Sequence, residues 1–115
     1  MKYLEIKDIV IGLVQEARGF YISSYQICQQ IELKHPDLWG KLCTEYPSQE
    51  EGVEMGAGTG NRYSPASFIA NTLKHYSKEI NELNQEYFSC EGVTFEKTIP
   101  GFTGNVLGIW AWKQQ

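Results

Sequence analysis

Ser, Asn and Lys side chains recur at helical spacing between Arg62 and Lys78, and these residue types can contact nucleic acid. Four of them lie three or four positions apart, so one face of a helix would present all of them. They are Ser67, Asn71, Lys74 and Lys78. An asparagine can hydrogen bond to the edge of an adenine, and a lysine can reach a guanine or a phosphate. The spacing therefore predicts a helical surface that contacts double-stranded DNA.

The charge of this segment differs from that of the rest of the chain. No acidic residue occurs from Met55 to Lys78, and the net charge of this stretch is +3. Because the whole chain carries −4, the remainder carries −7. The overall charge opposes long-range attraction to nucleic acid, but a local cationic patch decides where a phosphate can sit. An ordinary solvated helix face remains the alternative interpretation, because Ser, Asn and Lys are common on such faces.

The elements that position these side chains begin with the helix itself. Ser64 is a suitable N-cap, and Pro65 suits the first helical position. An apolar stripe then falls on the opposite face of the helix from the polar residues. It consists of Phe68, Ile69, Thr72, Leu73 and Tyr76, continued by Ile80 and Leu83. This pattern predicts a helix from Ser64 to about Leu83.

Catalytic and metal-binding patterns are missing from the sequence. Cys28 and Cys43 lie seven and eight residues from His35, and neither spacing places the two side chains side by side on one helix. The third cysteine is Cys90, and no CxxC, HExxH or paired-carboxylate pattern occurs. We expect buried free thiols, a surface position for His75, no catalytic residue, no metal and no cofactor. The chain is therefore predicted not to be an enzyme.

A glycine-rich segment, Gly56–Asn61, precedes the polar helix. Glycine loops before helices can bind anions through backbone amides. The phosphate-loop pattern requires Gly-Lys-Ser/Thr at the helix start, however, and this chain has Asn61-Arg62-Tyr63 there. A loop without a ligand is the favoured interpretation, and a weak sulfate or DNA-phosphate site at Arg62 is the alternative.

The N-terminal part of the chain is predicted to be helical. Apolar residues repeat with helical period from Ile6 to Ala17, which predicts a helix from about Ile6 to Arg18. Gly19 is expected to end that helix in a left-handed conformation. Phe20–Ile22 is a short β-prone stretch. Ser23 and Gln26 have capping-box spacing and should begin a second helix.

The second helix should break at Pro36, and Asp37–Leu42 should add a short helical turn. Glycines and glutamates then predict a long loop over residues 43–62. Two alternating stretches, Val93–Ile99 and Val106–Lys113, are predicted to be strands joined by a Gly/Pro turn. The fold class is therefore α+β, with three main helices and a C-terminal β-hairpin in a single domain, residues 1–115.

This order of elements resembles the winged helix-turn-helix superfamily. The resemblance is carried by Phe20–Ile27, by Ser64–Tyr76 as a recognition helix, and by Val93–Lys113 as a wing. It differs from the family in having about 28 residues between His35 and Ser64, where the family has a short turn. The resemblance implies that the recognition helix enters the major groove and that the wing tip touches the DNA backbone. The interface residues implied in this way are Arg62, Tyr63, Ser64, Ser67, Asn71, Lys74, Lys78, Lys97, Thr103 and Asn105.

Trp110 and Trp112 lie two residues apart, so they share one face of the last strand. A packed core or a homodimer contact is favoured over stacking on single-stranded bases, because only Lys113 accompanies them as a cation.

The sequence predicts a small cytoplasmic DNA-binding protein, either a transcriptional regulator or a mobile-element accessory protein. The chain has no apolar run of the roughly 20 residues that a membrane span needs, and acid at Glu5 argues against a signal peptide. The alternative is a protein–protein interaction module of the same fold, with a basic partner or a second copy. The acidic stretch Glu45–Glu54 motivates that alternative.

Overall fold

The computed structural model describes residues 1–46, 64–89 and 106–114. In this part of the chain it contains four helices and one three-stranded antiparallel sheet, which confirms the α+β class. In chain order the elements are α1 (Tyr3–Glu16), β1 (Ile22–Ser23), α2 (Ser24–Lys34), α3 (Pro36–Glu45), α4 (Pro65–Ser77), β2 (Leu83–Ser89) and β3 (Val106–Trp112).

The N-terminal helix ends close to its predicted boundary. Helix α1 stops at Glu16, two residues before the predicted end, and the chain then turns through two left-handed residues. Arg18 has a φ of 51° and Gly19 a φ of 88°. Glycine adopts this conformation without steric cost, because it has no Cβ. The predicted left-handed conformation of Gly19 is confirmed.

Helix α2 begins with the predicted capping box. The Ser23 Oγ accepts a hydrogen bond from the Gln26 amide at 3.2 Å, and the Gln26 side chain accepts one from the Ser23 amide at 2.8 Å. These bonds satisfy two amides that the first helical turn leaves without partners. Ile27, Cys28 and Ile31 are fully buried, as the helical pattern predicts.

Helix α3 is longer than the predicted helical turn. It starts at Pro36 and ends at Glu45, so the last three residues of the helix lie within the segment predicted as a loop. Leu42 is fully buried and anchors the helix to the core, while Leu38 and Trp39 are partly buried against it. The rest of the predicted loop, residues 47–62, lies outside the described residues.

The prediction that the recognition helix reaches Leu83 is wrong. Helix α4 ends at Ser77, and Leu83 instead begins strand β2. The amides of Glu79 and Ile80 both donate to the Tyr76 carbonyl oxygen, at 3.0 and 2.8 Å, in the turn that ends the helix. Seven residue pairs then join β2 to β3, and this non-local pairing overrides the local helical pattern.

The sheet has the strand order β1-β3-β2, with both pairings antiparallel. Strand β3 covers all but the last residue of the predicted Val106–Lys113. The other predicted strand, Val93–Ile99, and the turn after it lie outside the described residues. Within the described residues, β3 therefore pairs with β2 on one side and with the two-residue strand β1 on the other.

The core lies between the helices and one face of this sheet. Ile6, Val10 and Val14 of α1 are fully buried, as is most of the predicted apolar face of α4. Trp110 and Leu83 cover the sheet side of the same cluster. Burying one large apolar side chain stabilises the fold by roughly 1.5–3 kcal/mol. Burial of one face of α4 fixes the orientation of the helix and so determines which residues it presents outward.

None of the helices in the described ranges is long and apolar enough to cross a membrane.

Candidate nucleic-acid interface

A groove of about 260 Å³ separates the polar face of α4 from strands β2 and β3, and the first turn of α2 also lines it. We call it the α4 groove. Its described lining residues are Ser24, Tyr25, Ala66, Ser67, Ala70, Asn71, Lys74, Gln85, Tyr87, Val106, Leu107, Gly108 and Trp110. The groove therefore brings together residues from four elements, α2, α4, β2 and β3.

Ser64 begins α4 as the sequence predicts. Its Oγ accepts a hydrogen bond from the Ser67 amide at 3.0 Å, and the two hydroxyl oxygens lie 3.1 Å apart. Ser64 is only 3% exposed. Its side chain therefore caps the helix from inside the protein, while Pro65 occupies the first turn.

Three of the predicted contact residues, Ser67, Asn71 and Lys74, line the α4 groove together. The Asn71 Nδ2 donates a hydrogen bond of 2.8 Å to the Ser67 carbonyl oxygen, which holds the amide against the helix. Lys74 is exposed. Lys78, one turn further along, is the exposed C-cap residue of α4 and lies beyond the groove lining.

One charged side chain lies among the described lining residues of the α4 groove. Among its described lining residues Lys74 carries the only charge, and none is Asp or Glu. Glu86 lies between two lining residues of β2, but successive strand residues face opposite sides of the sheet. The Glu79 carboxylate lies 3.7 Å from the His75 Nε2, and neither residue lines the groove. The groove therefore favours an anion over a cation.

The wall opposite α4 is built from β2 and β3. Gln85 pairs with Trp110, and Tyr87 pairs with Gly108, so these four residues share one face of the sheet. A Cβ added to Gly108 would lie 3.0 Å from Trp110 Cη2, because the indole ring covers the glycine. The Gln85 Nε2 donates to the Tyr87 hydroxyl at 3.2 Å.

Trp110 is only 2% exposed, and Trp112 packs against the core with part of its surface exposed. The prediction that this pair belongs to the core is confirmed for Trp110. Among the described residues, the Trp110 Nε1 has no hydrogen-bond acceptor. Buried polar groups rarely lack partners, since an unpaired donor is unfavourable.

The sheet side of the groove was not predicted from the sequence. Gln85, Tyr87 and Gly108 were not among the predicted interface residues, and neither was Tyr25 at the start of α2. Leu83, Gln85 and Tyr87 recur at every second position, which is the spacing of one face of a strand. Leu83 also fits the helical spacing of α4, however, and was assigned to that helix.

Five predicted interface residues and the glycine segment before α4 lie outside the described residues. The five are Arg62, Tyr63, Lys97, Thr103 and Asn105.

The described cysteines do not form a reactive centre. Cys28 is buried, and burial raises its thiol pKa far above the ordinary value. Burial also raises the pKa of Cys43, with a smaller contribution from the Glu32 carboxylate. Both thiols therefore stay protonated at neutral pH, and protonated thiols are poor nucleophiles. Within the described ranges, no group of three His, Cys, Asp or Glu side chains could hold a metal ion.

Comparison of the chain with known protein families, curated proteins and solved structures gives no match.

Proposed function

We propose that this protein is a winged-helix-like domain that binds double-stranded DNA through the exposed face of α4. The observation that carries the proposal is the alignment of Ser67, Asn71 and Lys74 along a groove whose described lining holds one positive charge and no carboxylate. The order of the described elements supports it, since α4 is followed by an antiparallel strand pair that flanks its polar face. The proposed role is that of a cytoplasmic transcriptional regulator or mobile-element accessory protein.

The geometry suits a helix that inserts into a major groove. The buried face of α4 holds the helix on the core, while Asn71 lies half-buried on the polar face, where its amide can hydrogen bond to a base edge. Lys74 and Lys78 are exposed on successive turns, where they can reach phosphates on the groove rim. Strands β2 and β3 lie beside the helix, where a wing would meet the DNA backbone.

A duplex titration at several salt concentrations tests this proposal. We expect binding to weaken steeply with salt, because lysines that neutralise phosphates release counterions. Lys74→Ala and Lys78→Ala should each weaken binding and reduce the salt slope by about 1. Fluorescence anisotropy of a labelled duplex measures both quantities.

Lys34→Ala is the matched control for these variants. Lys34 lies 2.9 Å from the Glu16 carboxylate and lines a separate groove between α1 and α2. The control changes the net charge by the same amount and should leave the salt slope unchanged. Absence of binding at about 50 mM salt, or equal effects of all three variants, would contradict the proposal.

A protein-interaction module is the second candidate, and one exposed apolar patch favours it. We define the strand-end patch as Tyr87 and Val106, which share one face of the sheet and are 65% and 53% exposed. Apolar side chains grouped on a surface are typical of contacts between proteins. In this candidate a second copy of the chain covers the patch. Sedimentation velocity should then show self-association that Tyr87→Ser reduces, whereas a monomer at all concentrations would count against it.

A further inference from the structure

We propose that the α4 groove is a binding site for a small planar aromatic acid. The ring would lie among the aromatic side chains of the groove, and the acid group would pair with Lys74. The proposal is built on the groove itself and holds whether or not α4 binds DNA.

The size of the groove selects the class of ligand. Sites for drug-sized molecules usually enclose about 300–1,000 Å³. The α4 groove, at about 260 Å³, lies just below that range and suits a compound of one or two rings. It lies between rigid elements, because α4 is packed on the core and seven residue pairs join β2 to β3. A site of this kind is preformed and does not require the ligand to order it.

The lining is aromatic on more than one side. Tyr25 comes from α2, Tyr87 from β2 and Trp110 from β3, so three rings from three elements converge. Gly108 adds no side chain above the indole, and any Cβ there would crowd the Trp110 ring at 3.0 Å. Flat rings pack against one another in stacked or edge-to-face arrangements. The shape therefore favours a planar ligand over a branched aliphatic one.

The polar groups of the groove select the charge of the ligand. Lys74 is the only charged residue of the described lining, which favours an anion. Because a ring held by the aromatic side chains would lie beside this charge, the lining calls for a ligand that combines an aromatic ring with an acid group.

The test is a titration of the full chain followed by calorimetry and tryptophan fluorescence. The probes are benzoate, naphthoate and indole carboxylate, with cyclohexanecarboxylate as the non-aromatic acid and benzylamine as the aromatic cation. We expect the aromatic acids to bind and change the tryptophan emission. Cyclohexanecarboxylate should bind at least about tenfold more weakly, and benzylamine should not bind.

Two pairs of variants assign the binding to the groove. Lys74→Gln should weaken binding of the aromatic acids about tenfold, whereas Lys78→Gln removes the same charge one turn away and should leave it unchanged. Trp110→Phe replaces the indole that lines the groove with a smaller ring, so it should weaken binding and remove the fluorescence change. Trp112→Phe makes the same substitution outside the groove lining and should retain both.

Three results would overturn the proposal. The first is no binding of any aromatic acid at about 10 mM, well above the range expected for a specific small ligand. The second is an equal effect of Lys74→Gln and Lys78→Gln. The third is binding of a short oligothymidylate with no binding of the acids, which would assign the groove to single-stranded nucleic acid. The DNA proposal can fail independently of this one. It predicts that Lys78→Ala weakens duplex binding, whereas the aromatic-acid proposal predicts that Lys78→Gln leaves acid binding unchanged.

Discussion

Helix α4 presents one face to the core and the other to the groove, and the two faces differ in burial and in polarity. The core face consists of Phe68, Ile69, Thr72 and Leu73, all fully buried. The groove face consists of Ser67, Ala70, Asn71 and Lys74, all partly or fully exposed. Both faces are set by the same helical period, so each residue on one face helps to orient the residues on the other.

Stability and binding are therefore separable on this one helix. Substitutions on the core face should change the free energy of unfolding, because they remove packed apolar area. Substitutions on the groove face should change binding while the fold remains intact. Three substitutions test the comparison, in decreasing order of their expected effect on stability.

Leu73→Ala should have the largest effect. Leu73 is fully buried in the core cluster, and truncation of a buried leucine usually costs about 2–5 kcal/mol. We expect a large fall in the urea midpoint with little change in the slope of the transition. A loss below about 1 kcal/mol would show that α4 contributes less to the core than its burial indicates.

Ser64→Ala should have an intermediate effect. The Ser64 hydroxyl accepts the Ser67 amide, and loss of such a cap usually costs about 1 kcal/mol. Urea unfolding followed by circular dichroism measures the change. Ser64→Asp is the matched control, because aspartate can cap the same amide, although it must fit a nearly buried position. Equal destabilisation by both variants would indicate that the buried serine side chain stabilises the fold through its packing and not through the cap hydrogen bond.

Asn71→Ala should have the smallest effect on stability. The hydrogen bond from Asn71 to the Ser67 carbonyl is lost, but alanine is the better helix former, so the net change should stay within about 0.5 kcal/mol. Duplex binding should weaken, and discrimination between sequences should fall. Thermal unfolding and anisotropy on the same samples provide the two readouts. A large fall in stability with unchanged DNA binding would assign Asn71 to the fold.

Local signals in the sequence predicted local structure well. The Ser23 and Gln26 capping box, the Ser64 cap and the left-handed Gly19 were all correctly identified. Each depends on hydrogen bonds or backbone angles within a few residues, so the side chains that determine it are adjacent in the sequence. The polar face of α4 was predicted for the same reason, because its period is visible in one short segment.

Features that depend on distant partners were predicted less well. Strand β2 was partly assigned to a helix, since Leu83 continues the helical spacing of α4. What makes it a strand is its pairing with β3, whose residues come after a long intervening segment. The groove wall formed by Gln85, Tyr87 and Gly108 follows from that pairing, so it could not be predicted from either strand alone.

The helical character of α1, α2 and α4, the caps at Ser23 and Ser64, and the shared polar face of Ser67, Asn71 and Lys74 were predictable from the sequence, because they follow from periodicity and hydrogen bonds between near neighbours. The pairing of β2 with β3 and the position of Tyr25, Tyr87 and Trp110 across from α4 emerged only in the folded structure. Strand pairing and cavity shape depend on contacts between residues that are distant in the sequence. Such contacts form only when the core brings the elements together.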